Sequence, residues 1–156
     1  MARLRAGENV VALARECGIS ASRFARLCVE AVCELRLYPD VPDTLRQLQA
    51  SGTPLAAVTN LPGWLVEPLL RELGVYQHFD AVICAARKPS PSGIHKALGN
   101  LSRSADGAYY AGDTHSDAQA AARAGVSFAW AAYGYGDECP ENTEVVLERF
   151  SDVLSL

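Results

Sequence analysis

The sequence predicts an α/β fold in which helices cover both faces of a parallel sheet. From Tyr38 onward, short apolar runs alternate with helical patterns, and glycine or proline separates one from the next. Runs that are apolar throughout are typical of parallel strands buried on both faces, which right-handed helical crossovers connect. Three of these runs end in polar residues. Those residues are therefore expected at the carboxyl edge of the sheet, where α/β proteins bind ligands.

The spacing of apolar residues defines each element in this part of the chain. Asp40 followed by Pro42 fits the entry of the first helix, with Asp40 as its cap. Residues 145–156 predict a short edge strand and a last helix. The four core strands are predicted at 54–59, 79–85, 108–113 and 126–132, and the helices around Leu45, around Leu69, around Ala97 and from about Asp117 to Ala124.

Residues 1–37 have a different pattern, which predicts a helical hairpin. Gly18 is suited to end its first helix and Ser20 to cap its second. No side chain in this stretch suggests catalysis, so we interpret it as packing material. The predicted domains are residues 1–37 and residues 38–156.

Composition excludes several classes of function. The 156 residues suffice for one domain with a real core, and the net charge of -4 argues against a nucleic-acid or anionic-membrane surface. No stretch approaches the roughly 18 apolar residues of a membrane span, and no secretory signal is recognisable. The five cysteines are scattered without a CxxC pair, which favours reduced and mostly buried thiols. These features predict a cytoplasmic protein.

The polar strand ends form a set that suits phosphoryl transfer. They are Thr59 with Asn60, then Lys88, then Asp113 with Asp117. A hydroxyl and an amide can donate hydrogen bonds to a phosphoryl oxygen, an ammonium neutralises its charge, and carboxylates are the ligands that Mg²⁺ prefers.

Each of these residues also has a simpler explanation. Thr59 and Asn60 could cap the following helix, and Lys88 could be a solvated loop lysine. Asp113 or Asp117 could place negative charge at a helix N-terminus. The joint occurrence of all five at one edge favours a functional site over these separate explanations.

Several stretches resemble motifs of the haloacid dehalogenase-like hydrolases, in particular of the phosphoglycolate phosphatase-like branch. The resemblance covers about residues 38–156 and implies a Rossmann-like three-layer sandwich, while residues 1–37 resemble the end of a helical cap domain. The matching stretches are LAAVTN at 55–60 for the second family motif, Lys88-Pro89 for the third, YAGDTHSD at 110–117 for the GDxxxD motif, and YGYG at 133–136 for the stretch after the last core strand.

The resemblance implies a role for each residue of the set. Thr59 and Asn60 would bind the transferring phosphoryl group, and Lys88 would hold that group and the nucleophile. Asp113 would ligate Mg²⁺, and Asp117 would support either the metal shell or Lys88. The implied activity is that of a Mg²⁺-dependent phosphomonoesterase acting on a small phosphorylated metabolite.

One family motif is missing from these 156 residues. Family members begin with a strand ending in DxDxT, whose first Asp attacks phosphorus and whose second acts as general acid and base. The nearest stretch is 37–44, LYPDVPDT, but its spacing is one residue too long and prolines interrupt it. We therefore expect the chain to be impaired or inactive.

The missing strand also has a structural consequence. In the family it lies between the strands that here end at Thr59 and Asp113. Its loss would leave a gap or force those two strands together, and unpaired buried backbone groups are costly. Residues 8–14, a second copy or a partner chain could fill the place, or the chain could be a fragment of a longer product.

Three functions of different classes remain open on the sequence alone. The first is a phosphatase whose nucleophile is lost or supplied from elsewhere. The second is a non-catalytic remnant that binds phosphate or a protein. A third, another doubly wound domain such as a flavodoxin-like or receiver-like module, lacks support, because no glycine-rich phosphate loop is present and the acidic cluster comes late.

Overall fold

The structure is a computed structural model that describes residues 20, 22–23, 26–27 and 35–156. The chain divides into two compact units, Met1–Arg36 and Leu37–Leu156. Most of the helical hairpin predicted in residues 1–37, together with residues 8–14, lies outside the described residues. Within the first unit, the amide of Arg23 donates to Ser20 Oγ at 3.3 Å, the contact expected of the predicted cap. Every helix in the described part of the chain is too short or too polar to cross a membrane.

The second unit alternates strands with helices, which confirms the predicted α/β class. Short 3-10 segments occupy Tyr76–His78 and Phe150–Ser155, so the last predicted helix is a 3-10 helix. The helices are α1 (Val41–Ala50), α2 (Gly63–Glu72), α3 (Ser92–Leu101) and α4 (His115–Ala124), and the strands are β1 (Ala56–Val58), β2 (Ala81–Ile83), β3 (Tyr109–Gly112), β4 (Ser127–Ala131) and β5 (Val145–Leu147).

The strands form two parallel sheets where the sequence predicted one. β1 pairs with β2, and β4 pairs with β3 on one side and with β5 on the other. Among the described residues no strand pairs with the second edge of β1 or of β3. A missing central strand was expected either to leave a gap or to force the strands ending at Thr59 and Asp113 together. In the described residues β1 and β3 do not pair, so a gap separates them.

Two helices join the sheets. α3 packs on β1 and β2 and also against α4, which in turn packs on β3 and β4. The core between α4 and the second sheet combines fully buried alanines, Ala120 and Ala121, with the buried ring of Phe128. Small side chains let α4 lie close to the sheet, and burial of a ring such as Phe128 contributes about 1.5–3 kcal/mol.

Two predicted helix starts need correction. α4 begins at His115 and not near Asp117, because Thr114 is its N-cap and forms a capping box with Asp117. Asp40 precedes α1 as predicted, but its side chain makes no cap. Its Oδ2 accepts a hydrogen bond from the Ser151 amide at 2.8 Å instead, and this bond lowers the pKa of the Asp40 carboxyl.

Candidate active site

Backbone hydrogen bonds bring the ends of β1 and β2 together. The Thr59 amide donates to the Ile83 carbonyl, and the Ala86 amide donates back to the Thr59 carbonyl, both at 2.9 Å. A third bond of 2.9 Å runs from the Ala85 amide to the Leu61 carbonyl. The loop that carries Thr59 and Asn60 is thus fastened to the loop that leads into Lys88.

Asn60 extends this connection through its side chain. Its Oδ1 accepts a hydrogen bond from the Lys88 amide at 2.7 Å, and its Nδ2 lies 3.5 Å from the Lys88 carbonyl oxygen. Thr59 Oγ1 accepts from the Leu61 amide at 3.1 Å. The helix-cap explanation of Thr59 and Asn60 is wrong, because the N-cap of α2 is Pro62 and no side chain caps that helix.

Lys88 spans from the first sheet to α4. Its Nζ lies 2.6 Å from Asp117 Oδ1, and the two side chains are only 16% and 5% exposed. The solvated-loop explanation of Lys88 is therefore wrong. The peptide bond between Lys88 and Pro89 is cis, and the Arg123 side chain of α4 donates to the Pro89 carbonyl at 2.9 Å. The Lys88–Asp117 ion pair and the Arg123 hydrogen bond both hold the Lys88 loop against α4.

Asp117 is buried and accepts further hydrogen bonds on both of its oxygens. Tyr110 OH donates to Oδ1 at 3.1 Å, while the Thr114 amide at 3.3 Å and the Thr114 hydroxyl at 2.5 Å donate to Oδ2. Burial, and then the charge of Asp117, raise the pKa of the Tyr110 phenol far above its usual value. The raised pKa favours the neutral phenol, whose hydroxyl donates to Asp117.

Gly112, the residue before Asp113, leaves room for the side chain of Asp117. A Cβ at Gly112 would lie 2.5 Å from Asp117 Cβ, so no larger residue fits there without displacing Asp117. Gly112 ends β3 and Asp113 follows it directly.

Asp113 is held by the loop that follows β4. Its Oδ2 accepts a hydrogen bond from the Tyr135 amide at 2.8 Å. Its Oδ1 accepts none from the described residues. An anionic oxygen without a protein donor fits the requirement of a hard cation such as Mg²⁺.

Asp117 fits a cation less well than Asp113 does. Both of its oxygens are already engaged by Lys88, Tyr110 and Thr114, which favours the other implied role, support of Lys88. Within the described part of the chain, no group of three or more His, Cys, Asp or Glu side chains is arranged to hold a metal ion. At the candidate site, Asp113 is thus better suited than Asp117 to bind a cation.

Several contacts of this site were not predicted from the sequence. The capping box of Thr114 and Asp117 has a recognisable T-x-x-D spacing, which could have identified Thr114. Tyr110 follows the strand alternation, since it lies on the same sheet face as Phe128, its partner in register. Tyr135 had no local signal, because its contact with Asp113 joins residues 22 positions apart. His115, at the start of α4, is exposed.

Comparisons with known proteins agree with this architecture. A family model of haloacid dehalogenase-like hydrolases matches residues 15–131. The phosphoglycolate phosphatase of Pectobacterium atrosepticum is 39% identical over 127 residues, which are 77% of this chain and 54% of that protein. The phosphoglycolate phosphatase of Aquifex aeolicus is 33% identical over 123 residues, covering 76% and 58%.

Solved structures show the same fold. The crystal structure of a predicted phosphoglycolate phosphatase from Haemophilus somnus superimposes with a TM-score of 0.78 at 26% identity, covering 91% of this chain and 71% of that one. The haloacid dehalogenase-like phosphatase of Thermococcus onnurineus superimposes with a TM-score of 0.70 at 20% identity, covering 92% and 83%.

The chain spans about half the length of the curated relatives that it matches. The match nevertheless includes the whole of β1, β2, β3 and β4, with the loops that carry Asn60, Lys88 and Asp113. The chain therefore belongs to the haloacid dehalogenase-like hydrolases, in their phosphoglycolate phosphatase-like branch.

Proposed function

We propose that the chain carries the phosphoryl-binding half of a Mg²⁺-dependent phosphomonoesterase of the phosphoglycolate phosphatase-like type. The observation that carries this proposal is the buried pair of Lys88 Nζ and Asp117 Oδ1, 2.6 Å apart, which joins the loop after β2 to α4. The Asp117 carboxylate fixes the position of the Lys88 ammonium, and the Lys88 amide bonds to Asn60 Oδ1, which ties the Lys88 loop to the loop of Thr59 and Asn60.

Each residue has a distinct role in this proposal. The Thr59 hydroxyl and the Asn60 amide donate hydrogen bonds to the oxygens of a phosphomonoester, and Lys88 neutralises part of its charge. Asn60 Nδ2 carries two hydrogens, and its one contact, with the Lys88 carbonyl, is long at 3.5 Å, so it retains donor capacity for a ligand. Asp113 is the ligand for Mg²⁺, which when bound would neutralise charge on the phosphoryl group.

The missing DxDxT motif limits what this chain can do by itself. Without an aspartate nucleophile, no attack on phosphorus is available from the motifs present, and turnover is expected to be impaired or absent. The substrate class that we propose is a small phosphorylated metabolite. The cytoplasmic location, the dependence on Mg²⁺ and the helical-cap role of residues 1–37 stay predictions.

We also propose that a further strand, from a second copy or from a partner chain, pairs between β1 and β3. The edges of these two strands support this proposal, because no described residue pairs with them. Their carboxyl ends point the same way, since the loop after β2 reaches Asp117 just beyond β3. A single parallel strand could therefore pair with both edges at once.

A non-catalytic remnant that binds phosphate or a protein is the second candidate. It is favoured by one observation, namely that the phosphoryl-binding residues are organised while the nucleophilic motif is missing from the sequence.

Turnover of 4-nitrophenyl phosphate with Mg²⁺ separates the two candidates. The phosphatase proposal predicts slow hydrolysis that Asp113→Asn abolishes, with Asp43→Asn, an exposed carboxylate on α1, as the matched control. Saturable phosphate binding without hydrolysis would favour the remnant. Hydrolysis that survives Asp113→Asn unchanged would contradict the proposed site.

A further inference from the structure

The loop after β4 lies directly against Asp113. Tyr135 donates its amide to Asp113 Oδ2 at 2.8 Å, while its side chain is 88% exposed. Tyr135 thus contacts the carboxylate through its backbone, and its ring takes no part in the contact.

Two glycines allow this close approach. A Cβ at Gly134 would lie 2.4 Å from Asp113 Cβ and 2.7 Å from its Oδ2. A Cβ at Gly136 would lie 1.8 Å from the Asp113 carbonyl oxygen. Real Cβ atoms do not approach other atoms so closely, so glycine is required at both positions to let the backbone pass.

The loop is itself anchored by contacts with other parts of the chain. Tyr38 OH donates to the Tyr133 carbonyl at 3.1 Å, and the two rings meet edge to face with centroids 5.2 Å apart. The Gly134 amide donates to the Ala131 carbonyl at 3.0 Å. Because Tyr133 and Gly134 are fixed in this way, the next residue, Tyr135, can hold the Asp113 side chain in place.

We infer that residues 133–136 form a positioning clamp for Asp113. The Tyr135 amide fixes Oδ2, and Gly134 and Gly136 let the backbone close on the carboxylate. This leaves Oδ1 as the oxygen that faces a bound cation, so a cation binds Asp113 through one oxygen. The cation part of this inference rests on the proposed function, whereas the clamp does not.

Amide hydrogen exchange tests the clamp without any ligand. The Tyr135 amide is expected to exchange slowly in the native chain and at the unprotected rate in Asp113→Ala. Gly134→Ala should also remove the protection, whereas Gly99→Ala, at a position where a Cβ meets nothing within 4 Å, should leave it intact. A Tyr135 amide that exchanges equally fast with and without the Asp113 carboxylate would overturn the inference.

Binding of Mn²⁺, followed by its paramagnetic resonance, tests the consequence for a cation. Tyr135→Pro removes the donor and Tyr135→Ala retains it, so the pair isolates one hydrogen bond. The proline variant should bind Mn²⁺ about tenfold more weakly than the alanine variant, the usual effect of losing a group that orients a metal ligand. Thermal unfolding checks that both variants are folded, and Gly134→Ala replaces the proline variant if it is not.

The possible results separate the clamp from the proposed function. Equal Mn²⁺ affinities of the proline and alanine variants would overturn the clamp. If the native chain binds no Mn²⁺, the metal part of the proposed function fails, and the exchange of the Tyr135 amide alone decides whether the clamp exists.

Discussion

Asp117 is the residue on which most contacts of the site converge. Its side chain is buried and accepts hydrogen bonds from Lys88, Tyr110 and Thr114. A buried carboxylate is tolerated only when donors and an opposite charge replace its lost hydration. Each of these donors should therefore have a measurable effect on stability.

Tyr110→Phe removes one donor and nothing else. Because the Tyr110 hydroxyl bonds to a buried charged oxygen, its loss should lower the free energy of unfolding by about 1.5–3 kcal/mol. Urea unfolding measures this difference.

Tyr109→Phe is the matched control, because Tyr109 is the neighbouring residue on β3, faces the other side and is 40% exposed. Removal of the Tyr109 hydroxyl should change the free energy of unfolding by less than about 0.5 kcal/mol. Equal effects of the two substitutions would mean that the Tyr110 bond to Asp117 has no special role.

At the scale of elements, the unusual feature is that β1 and β3 each have an edge with which no strand of the described part of the chain pairs. Alternate residues of a parallel strand bond to opposite neighbours, and Thr59 bonds to β2, so Ala56 and Val58 direct their backbone groups to the free edge. By the same alternation, Ala108 bonds to β4, and Tyr109 and Ala111 face the free edge of β3. Unpaired backbone of this kind favours addition of a strand.

Hydrogen exchange of these edge amides tests the proposed strand addition. If a second copy supplies the strand, protection of Ala56, Val58, Tyr109 and Ala111 should rise with protein concentration, in step with dimer formation in sedimentation. Ala129, in the centre of the second sheet, should be protected at every concentration. Protection of the edge amides in a monomer would show that no second chain is needed.

Local signals predicted the elements well. The alternation of strands and helices and the stops of the helices depend on periodicity and on glycine, both readable within a few residues. The start of α4 was placed two residues late, since Asp117 was taken as the first helical residue and its capping box with Thr114 was overlooked. The last helix proved to be 3-10, a difference that apolar spacing over so short a segment does not reveal.

At the scale of the whole molecule, the order of motifs along the chain predicted where the site lies, but not how it is held together. Lys88 and Asp117 were each identified, yet their ion pair joins loops 29 residues apart and has no local signature. The hydrogen bond from the Tyr135 amide to Asp113 has no local signature either. The division into two sheets was one of the outcomes that the missing central strand left open, and no property of β1 or β3 alone indicated it.

The central claim is that the loops after β1, β2 and β3 form a phosphoryl-binding site built around Lys88. The most direct test is a titration with inorganic phosphate, in which the amide resonances of the chain are followed by NMR. The native chain is compared with Lys88→Met and, as the control, with Lys96→Met at an exposed position. We predict saturable shifts at Thr59, Asn60 and Lys88, unchanged in Lys96→Met and weakened about tenfold or more in Lys88→Met, the usual cost of losing a hydrogen bond to a charged group. Shifts that are absent from these three residues, or that are unaffected by Lys88→Met in a folded variant, would contradict the account.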